Sequence, residues 1–427
     1  MGGASGDIRR RRRGIGGIRR CPKLSGGIRR HSRGTWRAAS GGIKRHRRPR
    51  TTLSTGTSAG RKILSRTIES VIMGIGGEPR MAAWKHWIRR NWTAIAGGLV
   101  AVVFVVAYYW TWPYVIYGPG SAEPVHPRVQ TGHELDEKGA LLFTTVSTRS
   151  KPNVFDLIYA RLNPRMDIKT QESATGGTVN LEAYRNLLYW MRDNSEAAAL
   201  MAAYGAMKED IQVEEQGVIV RAFLDNTEAR LHGLQEGDII TSIDGQDANT
   251  AEAFTKILAD KKAGDVVKLA GTRGEKTFEV EVPLIKMDSG AAGVGFYRDS
   301  VVKVTVPDPV EFDFEDTGGP SAGLMMTLEI VAQLTGEDLT KGYQVAGTGT
   351  IEAKGNVGQI GGIQYKLMAA DREKADYFLV PYVESGGYSN WKEAEDTVKK
   401  LDLNLKLVKV SSLQDAIDFL QGLEAKS

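Results

Sequence analysis

Asp316-Thr317-Gly318-Gly319-Pro320-Ser321-Ala322-Gly323 is the stretch around which the 427-residue chain can be organised. Before it, Val302, Val304 and Val306 alternate with Lys303 and Thr305, the period of a strand. After it, Leu324, Leu328, Val331 and Leu334 recur at helical spacing as far as Gly336. Ser321 is therefore expected where a Gly-rich loop enters a helix. Backbone N–H groups at such a place lack helical partners and the helix dipole is positive, which suits an oxyanion. On the loop alone two roles stay open for Ser321, a nucleophile and a plain helix cap.

A serine nucleophile needs a base, and the composition limits the choice. The six histidines are His31, His46, His86, His126, His133 and His232, so the chain from 233 onward has none. The single cysteine, Cys21, excludes an intramolecular disulfide, an iron–sulfur cluster and a Cys-ligated zinc site. Lysine can act as a base when burial lowers its pKa toward neutrality. Gly347-Thr348-Gly349-Thr350-Ile351 reads as a strand reaching a turn. Gly358-Gln359-Ile360-Gly361-Gly362-Ile363-Gln364-Tyr365-Lys366-Leu367-Met368-Ala369-Ala370 then places Lys366 in the first turns of an apolar helix. Lys354, in a Lys-Gly-Asn turn, reads as exposed.

These residues resemble the proteolytic domain of Lon-type serine proteases, which use a Ser–Lys dyad. Pro320-Ser321-Ala322-Gly323 is similar to the nucleophile motif, with Gly319 beside it. Ile360-Gly361-Gly362-Ile363, with Lys366 three positions on, is similar to the base motif, and the 45-residue separation of Ser321 from Lys366 is close to the family's. Thr348 falls on the family's threonine near the lysine. The sequence departs from the pattern at Gly318 and Thr350, where the family usually has Asp and Glu. The resemblance implies catalysis by Ser321 and Lys366, with Thr348 positioning the lysine and N–H groups near Ser321 holding the oxyanion.

Upstream, from about Glu214, the pattern changes to short strands and short helices. Gly217-Val218-Ile219-Val220-Arg221-Ala222-Phe223 is a β run, and Asn226 or Thr227 opens a short helix that Gly233 stops. Asp238-Ile239-Ile240-Thr241-Ser242-Ile243 closes on an Asp244-Gly245 turn, and Asn249 with Glu252 marks a second helix start. Phe278, Val280 and Val282 alternate as a half-buried strand. This order, with Gly233-Leu234-Gln235-Glu236-Gly237-Asp238-Ile239-Ile240 before Ile243-Asp244-Gly245, resembles a PDZ domain of bacterial extracytoplasmic proteases. The resemblance implies an extended peptide added to a sheet edge. It places that edge at Gly217, Val218, Ile219 and Val220, where the most familiar versions have Gly-Leu-Gly-Phe.

The remaining segments are set by charge. Residues 1–90 carry 24 Lys and Arg against 3 Asp and Glu, whereas residues 91–427 carry 32 against 48. The tail repeats Gly16-Gly17-Ile18-Arg19-Arg20, Gly26-Gly27-Ile28-Arg29-Arg30 and Gly41-Gly42-Ile43-Lys44-Arg45, and is too poor in apolar residues to order itself. It reads as a solvated tail, or as a stretch preceding a natural start at Met73 or Met81. From Asn91 to Ala122 there is no charge, and Thr93 to Trp112 offers about the ~20 residues a membrane helix needs. Lys85, Arg89 and Arg90 precede it and Glu123, Glu134, Asp136 and Glu137 follow, which predicts a cytoplasmic N-terminus.

The expected fold class is α+β multidomain: a disordered basic N-terminus over 1–80, a short segment and one transmembrane helix over 81–112, and an accessory α/β region over 113–205. A PDZ-like β-rich module over 206–285 and a Lon-type α/β proteolytic domain over 286–427 complete it. The order resembles the bacterial membrane-anchored Lon-like proteases. The nearest match to a phosphate loop, Gly271-Thr272-Arg273-Gly274-Glu275-Lys276-Thr277, lacks the second glycine, which predicts an ATP-independent endopeptidase. Expected partners are polypeptide substrates and the lipid bilayer, with a homo-oligomer left open and no nucleic acid. No cofactor and no metal are expected. The rival reading is a non-proteolytic PDZ scaffold with a structural Lon-like domain.

Overall fold

A computed structural model describes residues 78–176, 181–383 and 388–426, and the expected disorder of the basic tail lies outside them. Helix α1 (Glu78–Arg90) ends on Arg89 and Arg90. Helix α2 (Trp92–Tyr109) follows, 18 residues with no charge and none of them buried. It is long and apolar enough to cross a bilayer.

Strands β1 (Tyr114–Pro124), β2 (Val129–Gln130) and β3 (Ala140–Ser150) come next. Helix α3 (Val154–Leu162) is opened by Asn153, which accepts from the N–H groups of Phe155 and Asp156 while the Asp156 carboxylate accepts from Asn153 N–H, a reciprocal cap. Strand β4 (Asp167–Thr170) and the long helix α4 (Leu181–Met207) complete this part. The middle of the chain holds β5 (Gln212–Phe223), β6 (Ile239–Ile243), α5 (Ala251–Ala259), β7 (Val266–Arg273), β8 (Lys276–Pro283) and β9 (Phe296–Thr305). The last part holds β10 (Glu311–Phe312), α6 (Gly323–Thr335), β11 (Gln344–Gly347), α7 (Ile363–Arg372), β12 (Tyr377–Pro381), α8 (Asn390–Leu401), β13 (Lys406–Val410) and α9 (Leu413–Gln421).

One sheet runs β13-β12-β11-β3-β1-β4. The pairs β13–β12, β12–β11 and β11–β3 are parallel, and β1 is antiparallel to both β3 and β4. Parallel strands need cover on both faces, and the period-2 alternation supplies it. Leu141, Phe143, Val345, Leu379 and Val410 pack with Leu324 and Leu328 of α6 and Leu413 of α9. Leu142, Ala346, Phe378 and Val380 pack on the opposite side with Ile363 and Leu367 of α7 and Ala394 of α8. The result is a helix–sheet–helix sandwich.

The second sheet runs β9-β5-β6-β7-β8. One face buries Val218, Val220, Ile240, Val267, Leu269 and Val282 under Phe254 and Leu258 of α5. The other face carries Ile219, on which Leu187 and Trp190 of α4 pack. Further along, Ala198 to Tyr204 of the same helix enter the core of the first sheet. Helix α4 is thus a single rod shared by both cores.

Two expected boundaries cut across the sheets of the structure. The region expected as an accessory segment over 113–205 supplies β1, β3 and β4, half the strands of the first sheet. The expected break between 285 and 286 falls inside the second sheet, because β9 pairs along its length with β5, from Phe296↔Phe223 to Thr305↔Gln212. The alternation of Val302 and Val304 identifies a strand but carries no information about its partner. The expected short helix after Thr227 is a succession of turns, Leu231 N–H to Glu228 O and Gly233 N–H to Arg230 O among them.

Candidate active site

Helix α6 begins at Gly323 and its N-cap is Ala322, which makes no side-chain cap. Ser321 is therefore not the cap, and its hydroxyl is available for other work. The loop bearing it is tied down on both sides. Gly319, at φ 87°, donates its N–H to Leu188 O of α4 at 2.9 Å, and the positive φ is a conformation that glycine adopts without strain. Ser195 Oγ of α4 donates to Pro320 O at 3.1 Å. The Ser321 carbonyl accepts from Gly349 N–H and from Thr348 Oγ1, each at 2.9 Å. Gly323 is needed for proximity: a Cβ there would sit 2.7 Å from Ser195 Oγ and 2.9 Å from Ile351 Cγ2.

The base candidate arrives from the other face of the sheet. Gly362, at φ 70°, turns the chain into α7, and Lys366 in the first turn points inward with 2% of its surface exposed. Its Nζ donates to Ser321 Oγ at 2.9 Å and to the carbonyl of Thr144 on β3. Burial lowers its pKa to about 7, because the charged form is the one that loses hydration. No carboxylate is among its partners to restore the charge.

Among the described residues, no acceptor meets the backbone N–H of Ser321 or of Ala322. Those two donors lie at the positive end of α6, where an oxyanion would be held.

Ser321, Gly319, Pro320, Ala322, Gly323 and Lys366 are thus brought to one place. Thr348 is there too, but in a different role from the one expected: its hydroxyl donates to the Ser321 carbonyl and so fixes the serine side. The polar partner that the lysine has beyond Ser321 is the carbonyl of Thr144, whose own hydroxyl donates to Gly347 O at 3.1 Å. Sequence reading could not find it, since a backbone carbonyl has no residue signature and Thr144 lies 222 positions from Lys366. Lys354 is exposed.

The peptide-binding residues expected in the second sheet are not at an edge. Val218, Ile219 and Val220 are fully buried, and β5 has β9 on one side and β6 on the other. A Cβ on Gly217 would already meet Ile239 Cγ2 at 2.7 Å. The edge strands, among the described ones, are β8, which pairs with β7, and β9, which pairs with β5. The loop entering β9 is Gly293-Val294-Gly295-Phe296, with Gly295 at φ 85°. Its likeness to Gly-Leu-Gly-Phe is the signal that would have found it. Among the described residues, no histidine or cysteine is bonded to Ser321 or Lys366. The described cluster able to hold a metal ion is elsewhere, at His126, Glu137 and Glu329.

Known proteins bear on both parts. Residues 251–421 match the Lon protease (S16) C-terminal proteolytic domain, and residues 205–284 match the PDZ domain. The Lon protease of Finegoldia magna is 26% identical over 186 residues, covering 43% of this chain and 21% of that one. The Lon protease of Brucella suis is 29% identical over 189 residues, 41% of this chain and 22% of that one. The matched part thus spans about a fifth of the length of these curated relatives. A crystal structure of the PDZ domain of an SdrC-like protein from Listeria monocytogenes is 31% identical over 20% of this chain and 92% of that one, with a TM-score of 0.19.

Proposed function

We propose, from the premise that this chain joins a PDZ domain to a Lon-type proteolytic domain, that it is a membrane-anchored serine endopeptidase working through a Ser321–Lys366 dyad. Neutral Lys366 takes the hydroxyl proton as Ser321 Oγ attacks the scissile carbonyl. The N–H groups of Ser321 and Ala322 hold the developing oxyanion. Lys366 then gives its proton to the departing amine, and the acyl-enzyme is hydrolysed by water that the same lysine deprotonates. Thr348 and Gly349 keep the Ser321 backbone in register. The single observation carrying this reading is the buried lysine, its pKa lowered to about 7, with Nζ 2.9 Å from Ser321 Oγ.

No nucleotide is assigned to the reaction. Gly271 to Thr277 turns between β7 and β8 instead of entering a helix, so it forms no phosphate cradle. Substrates are unfolded or flexible polypeptides, presented along β9 by strand addition. Helix α2 is the anchor, and exposed apolar surface continues from it: Phe155 lies 4.8 Å from Phe104, ring to ring, with Ile158, Tyr159 and Leu162 exposed along α3. The basic end of α1 faces the cytoplasm and the two sheets lie outside it.

The test uses the full chain in detergent micelles with an unfolded protein substrate and a fluorophosphonate probe. Ser321→Ala and Lys366→Ala are each expected to abolish cleavage, and Ser321→Ala to abolish labelling. Undiminished cleavage in both variants would sink the dyad.

A further inference from the structure

Away from the Ser–Lys pair, three ligand-capable side chains from distant parts of the chain converge. One ring nitrogen of His126 and one carboxylate oxygen each of Glu137 and Glu329 lie within 4.8 Å of one another. Glu329, on α6 two turns beyond Ser321, has a fully buried side chain, yet its Oε2 has no hydrogen-bond partner. Glu137 Oε1 is likewise buried and without a partner. Three buried side-chain polar atoms among the described residues lack a partner, and two of them are in this one place. Buried polar atoms are normally satisfied, so such a pair requires an explanation.

Charge gives the explanation its sign. Two glutamates meet one imidazole here, and among the described residues no lysine or arginine is paired with either glutamate. The vicinity is deficient in positive charge.

The surroundings are those of a held site. Gln333, one turn after Glu329, donates to Glu329 Oε1 at 2.6 Å and to Val129 O at 2.7 Å, and accepts from Thr131 N–H at 2.9 Å. It fixes the glutamate and clips the segment following His126 onto α6, as outer-shell groups around metal ligands do. His126 Nδ1 approaches Glu329 Oε1 at 2.7 Å, and its side chain is 42% exposed, which leaves a way in.

We propose that His126, Glu137 and Glu329 form a binding site for a divalent transition-metal ion, Zn²⁺ first among them, that clamps the 126–138 segment to α6. One imidazole with two carboxylates suits such an ion better than Mg²⁺ or Ca²⁺, which favour all-oxygen sets. Remaining positions are taken by water. The clamp bears on the loop that leads to Ser321. Val129 and Gln130 pair with Phe312 and Glu311, and Arg128 donates to Asp313 O at 2.9 Å and to Asp316 Oδ1 at 2.8 Å. Holding the 126–138 segment therefore holds the approach to the serine. The site stands on these residues whether or not the dyad reading does.

The test uses the full chain in detergent, stripped with a chelator and then titrated with Zn²⁺, with metal content measured by mass spectrometry and thermal unfolding followed in parallel. One Zn²⁺ per chain and a raised melting temperature are expected, both lost or at least about tenfold weaker in His126→Ala and Glu137→Gln. Glu329→Gln alters a fully buried side chain, so the more peripheral variants carry the test. Equal uptake and equal melting shifts in wild type and both variants would assign the metal elsewhere and overturn the proposal. So would no uptake at all, or uptake of Ca²⁺ without Zn²⁺.

Discussion

Replacing Lys366 by methionine should stabilise the protein while abolishing its activity. A pKa lowered from 10.5 to about 7 corresponds to ~5 kcal/mol, at about 1.4 kcal/mol per pH unit, by which the fold disfavours the protonated lysine. Lys366 is 2% exposed, so solvent screening removes little of this. Methionine keeps the apolar stem and sheds the charge, but it leaves the Thr144 carbonyl without its donor, which costs about 1–3 kcal/mol. The net gain is ~2–4 kcal/mol at neutral or lower pH. Its pH dependence is specific. The native pKa lies below the unfolded one, so between pH 7 and 10.5 the unfolded wild type binds more protons than the folded one and wild-type stability rises with pH. The advantage of Lys366→Met is therefore flat below about pH 7 and shrinks by about 1.4 kcal/mol per pH unit above it. Thermal unfolding of the detergent-solubilised chain at pH 6 and pH 9 measures this. A variant less stable than wild type at pH 6, or an advantage unchanged at pH 9, would refute the assignment of a buried, readily neutralised lysine.

The same lysine sets the rate profile: cleavage and fluorophosphonate labelling should rise with pH through a midpoint near 7 and then level off, and a midpoint above 9 would count against Lys366 as the base. Gly323→Ala places a methyl 2.7 Å from Ser195 Oγ and 2.9 Å from Ile351 Cγ2, and should cost about 1–3 kcal/mol, read as a lowered melting temperature. Gly295→Val combines φ 85° with a Cβ 2.7 Å from Ile285 Cδ1 and Thr227 Cβ, so hydrogen exchange across β5 and β9 should speed up, and unchanged protection would show that the loop tolerates a side chain. Changing Val102 and Val103 to lysine in the middle of α2 should release the protein from membranes by about 5 kcal/mol of lost insertion energy, and continued resistance to carbonate extraction would refute the anchor.

Legibility followed the distance over which each feature is decided. The glycine-rich entry to α6 and the helix carrying Lys366 are settled within a few residues, and each was readable from local pattern. Strand partners are settled across the fold. Nothing in Leu141 to Val146 announces that β3 will lie beside β11, 200 residues later, nor does the valine alternation of β9 announce β5. That is why the domain holding the first sheet was read as starting at 286 when half the strands of that sheet precede 171. The expected edge at 217–220 turned out to be an interior strand for a related reason. A run of four buried residues at 217–220 has no polar alternate, and such a run marks a strand covered on both faces, with neighbours on each side in this sheet. The polar cluster at His126, Glu137 and Glu329 was out of reach altogether, because its members share no spacing and meet only when α6 packs under the 126–138 segment. Where chemistry depends on a loop and the helix after it, sequence carries it; where it depends on two strands agreeing to be neighbours, only the folded chain does.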